Sequence, residues 1–283
     1  MTKRRDFLKN MGVMAAGAVL LPSFKAAAKF APKKVISDTG IQLYTFRDEM
    51  MKDPQGTLKT IADLGIKQVE SASSGKGLYY GLTPKEMKQT CKDLGMTLRS
   101  AHTGIDANWQ KTIEQAAEAG QEYLVCSSLP FAGDTMENYQ KVAERFNKAG
   151  EECQAAGLKF GYHNHDFEFK KDQGNVLYDI LLVNTDPELV TMEMDLGWVV
   201  AAGYDPLKYF ADYEGRFKLW HLKDMKGRNS VEFGNGKLDI AGIFKQAKKA
   251  GLEYYFIEQE EYPAGSPTAS MKINMDYLSK VNV

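Results

Sequence analysis

All four histidines of this chain, and two of its acids, stand where a short apolar run stops. His102 closes the run from Met96 to Ala101, His163 and His165 close Leu158 to Tyr162, and His221 closes Phe217 to Trp220. Asp195 holds the same place after Val190–Met194, and Glu258 after Tyr254–Ile257. Imidazoles and carboxylates bind borderline divalent metals and move protons near neutral pH. Side chains alternate along a strand, so His163 and His165 share a face, as do Glu193 and Asp195, His221 and Lys223, and Glu258 and Glu260. Taken together, His163, Asp195, His221 and Glu258 read as ligands for one divalent ion. Mixed nitrogen and oxygen donors suit Mn, Zn, Co or Fe better than Ca.

Chemistry gathered from five separate runs needs a scaffold that brings strand ends together. Helical stretches end in Leu64-Gly65, Leu94-Gly95, Ala119-Gly120, Ala156-Gly157 and Ala250-Gly251, and a strand-like run begins shortly after each. Glycine just past a helix supplies the left-handed cap that stops it. Thr83-Pro84-Lys85-Glu86 carries a start signal, with a capping threonine, proline first in the helix and glutamate third. The strand-like runs are Ile41–Phe46, Lys67–Glu70, Thr97–His102, Tyr123–Ser127, Lys159–His165, Val190–Asp195, Phe217–Leu222 and Tyr254–Gln259. Eight βα repeats without a second domain predict an α/β fold, a single-domain (β/α)8 TIM barrel. An open doubly wound sheet would show a glycine-rich phosphate turn after its first strand, and Thr45-Phe46-Arg47-Asp48 is not one. In such a barrel the site forms at the C-terminal strand ends, where these histidines and acids fall.

Several segments then carry a resemblance. Tyr162-His163-Asn164-His165-Asp166-Phe167-Glu168-Phe169, Met194-Asp195-Leu196-Gly197-Trp198, His221-Leu222-Lys223-Asp224, Ile257-Glu258-Gln259-Glu260 and the turn Gly234–Asp239 resemble the sugar phosphate isomerase/epimerase family of xylose-isomerase-like TIM barrels. The resemblance implies one metal held at the ends of strands five to eight by glutamate, aspartate, histidine and glutamate. Asp195, His221 and Glu258 match that pattern, whereas His163 stands where the family has glutamate. The family epimerases use two opposed glutamates as bases, so His163 puts the symmetric mechanism in doubt and resembles dehydratase or lyase branches instead.

The reaction implied is proton abstraction beside a carbonyl that the metal polarises, on an unphosphorylated sugar or sugar derivative. Isomerisation or epimerisation is the family default. Elimination from a keto-sugar, such as a 3-keto-glycoside, is the rival, and a non-catalytic sugar-binding barrel is a third reading. Glu258 or His165 is the expected base, with Lys223 and His102 protonating or orienting substrate oxygens. Trp198, Tyr44 and Trp109 are expected against a sugar face or in barrel and helix packing, and Glu70 at a sugar hydroxyl or in a buried salt bridge.

The chain of 283 residues is 43% hydrophobic with a net charge of −1, and shows no basic stripe of the kind that tracks a phosphate backbone. Nucleic acid is therefore not an expected partner, which also argues against a nuclease of the endonuclease IV type. Residues 1 to 30 read as a twin-arginine export signal and linker, with Arg4-Arg5, an apolar stretch Met11–Leu21 and small residues Ala26–Ala28 before a barrel over 31–283. That segment predicts a periplasmic protein without a stable membrane anchor, its apolar stretch being too short to span a bilayer comfortably. Cys91, Cys126 and Cys153 read as buried small hydrophobes, and a homo-oligomeric state stays open.

Overall fold

Eight parallel strands close into a barrel in the computed structural model of the chain, which describes residues 38–281. They are β1 (Gly40–Gln42), β2 (Gln68–Ala72), β3 (Thr97–Thr103), β4 (Tyr123–Cys126), β5 (Lys159–His163), β6 (Val190–Asp195), β7 (Leu219–Leu222) and β8 (Tyr254–Ile257). Each strand pairs with its neighbours in sequence, and β1 closes the ring on β8 with Gly40 opposite Phe256. The predicted (β/α)8 barrel is therefore the fold. The export segment, its apolar stretch Met11–Leu21 and the boundary at residue 30 lie outside the described residues.

Local signals fix the helices. Thr83 and Glu86 form a reciprocal capping box on the helix Pro84–Asp93. Gly120 ends the helix Trp109–Ala119 at φ 69°, a conformation that costs a residue with a Cβ more than glycine. The three cysteines are buried and free.

The barrel interior is layered. Tyr123, Val125, Leu219 and Phe256 form a small apolar plug at the lower end. Gly161 keeps that level narrow, since a Cβ there would meet Thr191 and Val125 at 3.2 and 3.3 Å. One alternation step further along the strands the inward positions become His102, His163, Glu193 and His221, all buried. Burial behind an apolar floor keeps bulk water from screening these groups from below.

Four predicted strands end early, β4 at Cys126 and β8 at Ile257, and β1 and β5 where side chains turn the chain. Leu43–Phe46 is a 3-10 turn rather than strand, because Gln42 accepts a hydrogen bond from the Tyr44 amide at 3.0 Å and bends the chain. β5 stops at His163, where side chains replace the ladder: Asn164 Oδ1 accepts from the Asp195 amide at 3.2 Å, and Glu168 accepts from the His165 amide at 2.9 Å.

Candidate active site

Strand register gathers the predicted ligands. Asp195 lies opposite His221, and His163 opposite Glu193. One donor atom each from His163, Asp195, His221 and Glu258 falls within 4.8 Å of the others. Donors about 2.1 Å from a common ion stand roughly 3 to 4.2 Å apart, so this set fits one divalent cation. Asp195 Oδ1 caps the next helix by accepting from the Trp198 amide at 2.9 Å, which turns Oδ2 toward the site. Capping and ligation are compatible roles for one carboxylate.

Below this quartet sits a second polar layer. Glu70 takes up His221 Nε2 at 2.6 Å, Gln42 Nε2 at 2.9 Å and the Ser100 hydroxyl. Glu193 lies 2.5 Å from His102 Nε2 and 3.3 Å from His163 Nδ1. A carboxylate behind a metal-binding imidazole fixes the ring and its tautomer. Glu70 stands so behind His221, and Glu193 behind His163, while the far nitrogens, His221 Nδ1 and His163 Nε2, face the quartet. His102, His163, Glu193 and His221 also come within binding distance of an ion. An ion there would displace His102 from Glu193 and His221 from Glu70, whereas one in the upper quartet would displace His221 from Glu258 and leave those two supporting pairs intact.

For His163 the charge distribution supports the same assignment, whereas His221, held protonated by its carboxylates, would give up its Nδ1 proton on binding an ion. His163 is held well below the ordinary imidazole range by burial and by the positive charges of His221 and His102, leaving it neutral with a lone pair to donate. Burial works against the charge of His102 and His221 as well, but the carboxylates overcome it. Glu70 and Glu193 raise His102 to about 9, and Glu193 and Glu258 hold His221 well above its usual range. Buried Asp195 Oδ2, Glu193 Oε1 and His163 Nδ1 accept or donate no well-formed hydrogen bond among the described residues. Buried atoms of this kind could hold a cation.

Lys223 enters the quartet from above. Its Nζ lies 2.9 Å from Asp195 Oδ2, 2.7 Å from Glu258 Oε2 and 2.7 Å from Glu260 Oε1. The Asp195 contact is an ion pair by distance whose angle does not make it a hydrogen bond. A cleft of about 290 Å³ opens over these groups, lined among others by His102, His163, His165, Trp198, Lys223 and Tyr44. His165 is stacked on Phe167 at 5.3 Å, and burial pushes its pKa down. Asp166 pairs with Arg228 on the hairpin Asp224–Val231, and both Lys223 and Arg228 lie over the Trp198 ring, at 5.1 and 5.4 Å.

The structure therefore brings together His102, His163, His165, Asp195, His221, Lys223, Glu258, Trp198 and Tyr44. Glu70 is not at a sugar hydroxyl. It is fully buried under the quartet, its oxygens taken by His221, Gln42 and Ser100, in keeping with the buried-salt-bridge reading. Trp109 packs behind the barrel, edge-on to Phe160, and its indole donates to Glu152. Sequence reasoning placed Glu193 beside Asp195 and Glu260 beside Glu258 without giving either a role. Their spacing of two residues was the available signal.

A model of the xylose isomerase-like TIM barrel family matches residues 58–281, and the chain belongs to that family. A sugar phosphate isomerase/epimerase from Parabacteroides distasonis ATCC 8503 superposes with a TM-score of 0.78 at 30% identity, over 87% of this chain and 100% of that one. Inosose dehydratase from Lacticaseibacillus casei is 25% identical over 150 residues, 46% of this chain and 50% of that protein. The chain thus spans about half the length of the first curated relatives it matches. Inosose dehydratase 2 from Bacillus cereus is 25% identical over 223 residues, 77% of this chain and 70% of that protein.

Proposed function

We propose that the protein is a divalent-metal-dependent lyase or dehydratase. It removes a proton beside a carbonyl on an unphosphorylated sugar or cyclic polyol and expels an oxygen substituent. One observation carries this reading. Both carboxylates that line the cleft, Glu258 and Glu260, come from the end of β8 and share Lys223, whereas His163, His165 and His102 also line it. Two opposed carboxylate bases, which a symmetric epimerase would use, are not among the lining residues.

His163, Asp195, His221 and Glu258 would hold the ion. When bound, it supplies Lewis-acid polarisation of a carbonyl oxygen. His165 is the base: neutral, at the cleft, and not tied to a carboxylate as His102 and His221 are. Glu258 is less suited, because its Oε2 is engaged by His221 and Lys223. The C–H pair becomes the new C=C bond as its proton passes to His165. The neighbouring C–O bond breaks, and the departing oxygen takes a proton from the Lys223 ammonium. Cations near the cleft are already committed: Lys223 to three carboxylates, Arg47 to Tyr262 and the Glu260 carbonyl, Arg228 to Asp166. Lys223 and Arg228 are neutralised by carboxylates, which supports a neutral substrate. Trp198 and Tyr44 offer apolar faces to a sugar ring. The twin-arginine segment supports work outside the cytoplasm.

A second reading, epimerisation, is supported by the likeness to the Parabacteroides distasonis isomerase/epimerase. The metal-loaded protein should be incubated in deuterated water with a 3-keto-glycoside and with a cyclic polyol ketone. Release of aglycone or water with an unsaturated ketone supports elimination. An epimer or aldose–ketose pair supports the second reading, and no deuterium entry into either compound would leave a sugar-binding barrel.

A further inference from the structure

The ammonium of Lys223 and the ion of the proposed metal reading draw on the same two oxygens. Asp195 Oδ2, 3.9 Å from both His163 Nε2 and His221 Nδ1, and Glu258 Oε2, 2.9 Å from His221 Nδ1, are the oxygens of the upper quartet nearest its histidines, and Lys223 Nζ approaches the same two at 2.9 and 2.7 Å. A divalent ion held by those oxygens would stand within a few ångströms of a fixed positive charge. Like charges so placed repel, and a dication doubles the repulsion that a monovalent ion would feel. Lys223 is 1% exposed, so water does not relieve the repulsion.

The structure also contains the place to which the ammonium can withdraw. Glu260 Oε1 lies 2.7 Å from the same Nζ, on the cleft side, and Glu260 remains 31% exposed. We infer that Lys223 is an internal competitor for the metal site, bridging Asp195 and Glu258 in place of the ion and passing to Glu260 when the ion binds. This inference rests on the metal reading above. It assigns Lys223 a role in setting ion affinity, distinct from its proposed role as proton donor, and makes Glu260 the residue that allows lysine and ion to share one site.

The test is Mn²⁺ affinity, read from the electron paramagnetic resonance of free Mn²⁺ under equilibrium titration of the full chain and its variants. No turnover is involved. Lys223→Met removes the competitor and keeps much of the side-chain volume, so it should bind Mn²⁺ at least tenfold more tightly than the unaltered chain. Glu260→Gln removes the receiving carboxylate and should weaken Mn²⁺ binding several-fold. Circular dichroism establishes that each variant is folded. Should Lys223→Met fail to fold, the Glu260→Gln titration decides alone. Equal or weaker binding by Lys223→Met, or unchanged binding by Glu260→Gln, overturns the inference while the metal reading stands. If neither the unaltered chain nor Lys223→Met takes up Mn²⁺, Zn²⁺ or Co²⁺, the metal reading itself falls and the inference with it. Uptake by Lys223→Met alone would be competition in its strongest form.

Discussion

His221 Nε2 stands 2.6 Å from Glu70 Oε2, a carboxylate with no solvent exposure contributed by a strand on the far side of β1. The pair joins β7 to β2 across the barrel and sets which nitrogen of His221 faces the quartet. Replacing Glu70 with glutamine should cost about 1 to 3 kcal/mol of stability, as for a buried hydrogen-bond partner lost. It should also weaken metal binding about 10- to 100-fold, as for an orienting group behind a ligand. Urea unfolding and metal titration of the variant check both, and unchanged values in the two assays would remove Glu70 from this role.

Metal should stabilise the fold measurably. At a hundredfold excess of free ion over Kd, the unfolding free energy should rise by about 2.7 kcal/mol. Chelation should reverse the gain, and Asp195→Asn should abolish it. Thermal scans with and without chelator measure this, and an insensitive Tm in the unaltered chain would argue against a specific ion.

His165→Gln should separate chemistry from ion binding. The variant should keep its metal but lose roughly 10²- to 10⁴-fold in substrate C–H exchange, the range for a general base removed. Loss of metal together with exchange would move His165 into the ligand set instead.

Above pH 6.5, where the lowered His163 and His165 no longer act in the opposite direction, stability of the metal-free chain should fall as pH rises. His102 is raised to about 9 in the fold from an ordinary 6.5, because the charges of Glu70 and Glu193 outweigh its burial. Its protonated form is favoured by folding, so its contribution is complete below pH 6.5 and is lost as pH climbs through about 9. Glu193 is raised to about 7, first by burial and then by the charge of Glu70, and it loses stability in the same direction between its ordinary value of 4.5 and 7. Denaturation curves in chelator from pH 6.5 to 9.5 should show the decline, and His102→Asn should flatten it. A profile rising with pH would contradict the assigned charges.

The barrel was readable because it is written locally. Glycine caps and apolar runs recur with the βα period, and the strand-end residues fall where parallel strands must place them. Alternation also gave the shared faces of Glu193 with Asp195 and of Glu258 with Glu260. It did not give depth. Glu70 and Glu193 reach the site through partners 28 or more residues away, Gln42, Ser100, His102 and His221, and nothing in their own segments records those contacts. The early ends of β1 and β5 were hidden for a related reason. Side chains of Gln42, Asn164 and Glu168 take over backbone hydrogen bonds there, while the runs themselves stay as apolar as a strand.

Asp224, the residue after Lys223, binds the amides of Gly234, Gly236 and Leu238 at 2.9 to 3.0 Å and closes the glycine turn back onto the end of β7. Residues 226–229 at the tip of the hairpin lie outside that closure and are exposed. Insertions or exchanges at the tip, Arg228 included, would reshape the mouth of the cleft without moving Lys223 or His221. Relatives built this way can diverge in what they admit while inheriting the same reaction, because the loop that selects and the strand end that reacts are anchored separately.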